Sequence, residues 1–234
     1  MTYNILAIRS PTDPFDSLYP NLSDGAKGFR PVSNDGKNIQ RWPTITMSVW
    51  EARGDTYHRI GSFNEGTPTV FLTDVRVVVV HHNFKKGDSS YAMFGMDASY
   101  LASVALAKFR THNRALTGHI PLISLARISV KPADGRSHHG LVRLFAIEKT
   151  NGGSRTVFLQ FSLKTLDDAL GFAQAAVQRS ASLWLRGSKE PPALFEKLRH
   201  PERLEPTQDK WASYRLPKTA HLDSQLPALV GIKG

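Results

Sequence analysis

The sequence predicts an α+β fold: a strongly bent antiparallel β-sheet or partly open barrel, capped by a helix towards the C-terminal end. Three stretches predict it. Thr69 to Phe84, TVFLTDVRVVVVHHNF, reads as strand, turn and very apolar strand. Leu141 to Leu163 reads as a second hairpin across Asn151-Gly152-Gly153. Thr165 then opens an amphipathic helix that ends near Trp184-Leu185.

Three regions are expected in order: an irregular N-terminal extension over 1–38, a folded domain over 39–185, and a Pro-rich basic tail over 186–234. In the first, Ile5, Leu6 and Ile8 suit one short strand. Pro11, Pro14, Pro20 and Pro31 then punctuate a run of turn-forming residues. That run lies along the domain surface or is disordered.

In Ile45 to Arg53, Ile45, Met47, Val49 and Glu51 alternate with Thr46, Ser48 and Trp50, as in a half-buried strand. Gly54-Asp55 supplies a turn, and Thr56 to Phe63 suits another strand. In the first hairpin Thr73-Asp74 sits at the bend. Val77 to Val80 is apolar on both faces, which suits a central strand covered on each side or closed into a small barrel. Residues 85–96 read as a loop. Asp97 then caps a helix running to about Asn113, with Gly118 as its stop signal.

His119 to Lys131 alternates again, with a slip near Ser124 that predicts a bend or bulge. In the closing helix Thr165 is the N-cap, and Asp167 and Asp168 lie in the first turn. Leu166, Leu170, Ala173 and Val177 form its apolar stripe. Beyond it, Ala193 to Arg199 suits a short helix, and Phe195, Trp211, Tyr214 and Leu216 are apolar anchors in the Pro-rich tail.

This order resembles the pleckstrin-homology-like superfold, nearest its GRAM-type and bacterial PH-type members. The carriers are Thr73-Asp74-Val75-Arg76, matching a TD-x-R turn, and Ile120-Pro121-Leu122 to Leu125, matching an I-P-L-x-x-I strand. Arg114-Ala115-Leu116-Thr117-Gly118 also looks like a motif of a group of actinobacterial proteins. The resemblance covers about residues 40–185. It implies a module that binds lipid or peptide or is purely structural, so the fold leaves the function open.

The formal net charge is +10, which favours acidic partners. Most of it is concentrated: Val75 to Arg155 holds twelve Lys and Arg against four acids, a net +8. The chain has no cysteine, which excludes disulfides, thiolate metal sites and cysteine nucleophiles. No secretory signal opens the sequence and no apolar run is long enough to span a membrane, so the expected location is the cytoplasm. Adjacent histidines, His81-His82 and His138-His139, point to opposite faces of a strand, so no metal ligand set is expected. No nucleophile elbow, phosphate loop or dinucleotide fingerprint occurs, so neither enzyme activity nor a cofactor is expected.

The expected function is a non-enzymatic recruitment module for a protein or peptide partner or an anionic lipid surface. The alternative is a structural subunit of a homo-oligomer or larger assembly whose ends wrap neighbouring copies. Nucleic acid is not expected, because paired aromatic and basic positions on neighbouring strands are not evident, and Phe145, Phe158 and Phe161 read as core. The candidate anion-facing residues are Lys85, Lys86, Lys108, Arg110 and Arg114, beside the apolar Tyr91, Met93 and Phe94. Those three apolar residues alternatively cover an open end of the barrel.

Overall fold

The computed structural model describes residues 6–14, 19–23, 28–53, 55–63, 68–81, 115–133, 138–187 and 193–222. Among these residues eleven strands form two antiparallel sheets, accompanied by two helices, α1 (Leu166–Gly187) and α2 (Ala193–Arg199). The first sheet contains β1 (Leu6–Arg9), β2 (Gln40–Pro43), β5 (Thr69–Leu72), β6 (Arg76–His81) and β7 (Ala115–Pro121), in the spatial order β1-β7-β6-β5-β2. The second contains β3 (Met47–Arg53), β4 (Thr56–Phe63), β8 (Leu125–Pro132), β9 (Gly140–Thr150), β10 (Gly153–Leu163) and β11 (Ala212–Arg215). Its order is β11-β8-β9-β10-β3-β4.

The α+β class, the two hairpins and the closing helix match the expectation; the single bent sheet or barrel does not. The chain turns corners instead of continuing one ladder. A 3-10 turn, Leu122–Ser124, follows Pro121 and hands the chain from the first sheet to the second. This is the physical source of the slip near Ser124. A second corner lies at Thr44 to Thr46: the Thr44 amide donates to Pro68, the residue before β5 of the first sheet, and the Ile45 amide to Ser162 of β10 in the second. Each sheet therefore keeps two edges and neither closes.

The first hairpin pairs Leu72 with Val77, and the Thr73 hydroxyl accepts from the Val75 and Arg76 amides across the bend. The second hairpin closes tightly, Thr150 opposite Gly153, across Asn151-Gly152. The Thr165 hydroxyl accepts the Asp168 amide at the start of α1. Gly140 lets β9 pass close to that helix start: a Cβ there would lie 2.5 Å from Ala169 Cβ and 2.8 Å from Thr165 O.

Ala115–Pro121 is a buried strand, not the tail of a helix, and Gly118 is interior to it, opposite both Val79 and Leu6. Pairing on both edges overrides the local stop signal. The expected helix from Asp97 to about Asn113 lies outside the described residues.

One core lies between the sheets. Val77, Val79 and Ile120 of the first sheet meet Val142, Leu144, Leu159 and Phe161 of the second, with Leu170, Phe172, Ala173 and Val177 of α1 beside them. The opposite face of the first sheet, carrying Val78, Val80 and Ala115, packs under Leu22 and Phe29. The segment before residue 38 thus covers a sheet face and adds β1 to its edge.

A buried ion pair ties it down. The Arg76 guanidinium donates to both Asp35 oxygens at 2.7 Å and stands 2.9 Å from His119 Nδ1. The tail also packs: Phe195 of α2 stacks on Trp184, Tyr214 and Leu216 enter the core, and β11 extends the second sheet. Among the described residues no helix is long and apolar enough to cross a membrane.

Candidate functional site

Two sheet faces meet in the core and a third is covered by the N-terminal segment. The fourth, the outer face of the second sheet, lies opposite α1 and bears a different chemistry. Strand alternation puts Val142, Leu144 and Ala146 of β9 inward and Arg143 and Phe145 outward. Across the six strands the register aligns one outward row: Arg215, Arg127, Phe145, Phe158, Trp50 and Arg59. The next row aligns Ser213, Ser129, Arg143, Gln160 and Ser48. Neither row contains an acidic residue.

The rings of the first row are in mutual contact. Trp50 stacks on Phe158 with centroids 5.8 Å apart and planes 4° from parallel, and Phe158 lies 4.7 Å from Phe145. Tyr57 of β4 reaches over them, 5.1 Å from Phe158, and is 44% exposed. Phe145 and Phe158 are buried as the sequence predicts, but beneath this outer layer and away from the inter-sheet core, where Phe161 lies.

Guanidinium groups form the rest of the layer. Arg127 sits 3.8 Å over the Phe145 ring. Arg143 sits 4.0 Å from the Trp211 ring and 5.0 Å from Phe158, and donates to Gln160 Oε1 at 2.8 Å. Arg59 lies 6.0 Å from Trp50. These are cation–π distances. Burial lowers the Arg143 pKa from its ordinary value, Tyr57 raises it, and the neighbouring Arg127 charge lowers it further. Among the described residues no carboxylate lies within ion-pair distance of Arg59, Arg127, Arg143 or Arg215.

The same sheet treats its acids differently. Glu51 and Glu148 lie on the inward parity, and Arg155 bridges them at 2.8 Å and 2.6 Å. Burial raises the Glu148 pKa, hydrogen bonding and charge from Arg155 lower it, and Glu51 raises it. The carboxylates are thus neutralised in place, while the outer arginines rest on rings, an amide and a phenol. A guanidinium on a ring keeps N–H donors for an incoming anion.

Lys85, Lys86, Lys108, Arg110 and Arg114 all lie outside the described residues. So do Tyr91, Met93 and Phe94. Among the described residues no group of three or more His, Asp or Glu is placed to hold a metal ion. The residues that sequence reasoning missed are Trp50, Tyr57, Arg59, Arg127, Arg143, Trp211 and Arg215. Their signal was the outward half of each alternation, Arg127-Ser129-Lys131 and Arg143-Phe145. The pairing of aromatic and basic positions on neighbouring strands, not evident in the sequence, is present here. It appears only when register sets Arg127 beside Phe145 and Phe158 beside Trp50.

No family model, curated protein or solved structure matches the chain.

Proposed function

We propose that the chain is a non-enzymatic binding module whose ligand face is the outer face of the second sheet and whose partner is polyanionic. The observation that carries this reading is the arginine–aromatic row, basic at both ends and free of acids. Partly desolvated arginines attract anions more strongly than fully hydrated surface charges. The order of hairpin, corner, hairpin and closing helix supports a pleckstrin-homology-like reading of the scaffold. The pairing of β1 and β11 with strands of their own chain supports a self-contained module over an assembly subunit with wrapping ends.

Calorimetric titration with heparin, a polyanion without bases or acyl chains, tests the reading. The expected result is salt-sensitive binding that weakens at least about a hundredfold when Arg127 and Arg143 are changed together to Gln, since each charge-assisted hydrogen bond contributes about 1.5–3 kcal/mol and about 1.4 kcal/mol is a factor of ten. Exposed Arg186 on α1, changed to Gln, should have little effect. Equal affinity in all three proteins would overturn the placement of the face.

A further inference from the structure

We infer that the polyanion is a single-stranded nucleic acid, lying across the row of Arg127, Phe145, Phe158, Trp50 and Arg59 with Tyr57 and Trp211 beside it. The inference rests on the binding face proposed above and names its ligand. A carboxylate peptide, a sulfated sugar or a lipid headgroup is held chiefly through the cations. None of them gives a reason for rings interleaved with the cations along a row. Bases supply that reason, because every base has a flat π-face that stacks on an aromatic ring or on a guanidinium plane.

The exposures are graded to suit. Tyr57 is 44% exposed and Trp50 and Trp211 are half-buried, while Phe145 and Phe158 beneath them are buried and set the upper layer's level. Arg127 and Arg143 already lie against rings at 3.8 Å and 4.0 Å, so their planes are held in place before a base arrives. Their edges point donors at the strand's phosphates. Charge complementarity fits as well: four arginines and no acid occupy the two rows. A duplex suits the face less, because its bases hide their π-faces and among the described residues no helix stands out on this face to enter a groove.

The test is fluorescence anisotropy of the full chain with a labelled twelve-nucleotide oligo(dT), an abasic strand of the same length, poly-L-glutamate and phosphatidylserine-containing vesicles. The inference predicts binding to oligo(dT) at least about tenfold tighter than to the abasic strand, since base stacking alone is expected to supply that factor. It also predicts that Tyr57→Leu weakens oligo(dT) binding by a larger factor than it weakens binding to the abasic strand, and that Tyr57→Phe restores the difference between the two strands. Equal affinity for the two strands, or tighter binding to poly-L-glutamate or vesicles, overturns the nucleic-acid inference and leaves the polyanion-binding face standing. Binding to none of the four probes, nor to heparin, overturns both.

Discussion

Breaking the Asp35–Arg76 pair should unfasten the N-terminal segment from the first sheet. Arg76 is 2% exposed and Asp35 fully buried, and two 2.7 Å bonds join them. Asp35 also accepts the Val32 amide at 2.9 Å, and its carbonyl accepts the Asp74 amide at 3.0 Å. The carboxylate therefore holds its own loop while its backbone holds the hairpin turn. Changing Asp35 to Ala leaves a buried guanidinium facing His119 and the Phe29 ring alone. Removing one partner of a buried pair costs about 3–5 kcal/mol. For a chain of this size that lowers Tm by roughly 6–20 °C. Arg76→Met keeps the stem's volume and should cost about the same. The double variant should cost less than the sum of the two, with a coupling of roughly 2 kcal/mol, because no lone charge remains buried. Urea denaturation of the four proteins measures this. Single substitutions costing under about 1 kcal/mol, or costs additive within about 0.5 kcal/mol, would refute the clamp.

Leu170→Asp should destabilise by roughly 4 kcal/mol or more, because a 4%-exposed position of α1 would carry a charge into the core; an unchanged melting curve contradicts the docking of α1. Gly140→Ala should cost roughly 1–3 kcal/mol in urea denaturation, because the new Cβ meets Ala169 and the Thr165 carbonyl at the helix start. His119 gives a pH test: burial, then the Arg76 charge, holds its pKa well below 6.5, so the folded chain keeps it neutral while the unfolded chain takes up a proton. Stability from this group is full above about pH 6.5 and falls below it by up to about 1.4 kcal/mol per pH unit. His119→Gln should flatten that acid limb in urea titrations across pH 7 to 5, and an unchanged slope contradicts the assignment.

Local signals were legible where short-range chemistry decides the structure. Asn151-Gly152 sets its hairpin, Thr165 caps α1, and the Leu170–Ala173–Val177 stripe finds the core. The slip near Ser124 was visible as an irregularity, but its meaning, a change of sheet, depends on which strands pair. Ala115–Pro121 misled because Gly118 is a helix stop in isolation, while its pairing partners, Leu6 and Val79, are distant in sequence. Asp35 was hidden for the same reason: its partner Arg76 is 41 residues away, and nothing local marks either residue as buried. The outer face was half legible. Alternation gives the outward residues of each strand, but the row arises only from the registers of five strand pairs. Arg127 and Phe145 are eighteen positions apart in sequence and side by side in the sheet.

The central claim, that the second sheet's outer face receives a polyanion, is tested most directly by salt dependence. Oligo(dT) affinity should be measured from 50 to 300 mM salt for the parent, for Arg127→Gln with Arg143→Gln, and for Lys108→Gln with Arg110→Gln, two of the cations the sequence offers instead. Each phosphate contact removed lowers the slope of log affinity against log salt by about 0.7 for a single strand. The account predicts a fall of about 1.4 for the sheet-face pair and little change for the other. An unchanged slope in the Arg127 and Arg143 variant, with a fall in the Lys108 and Arg110 variant, would contradict it.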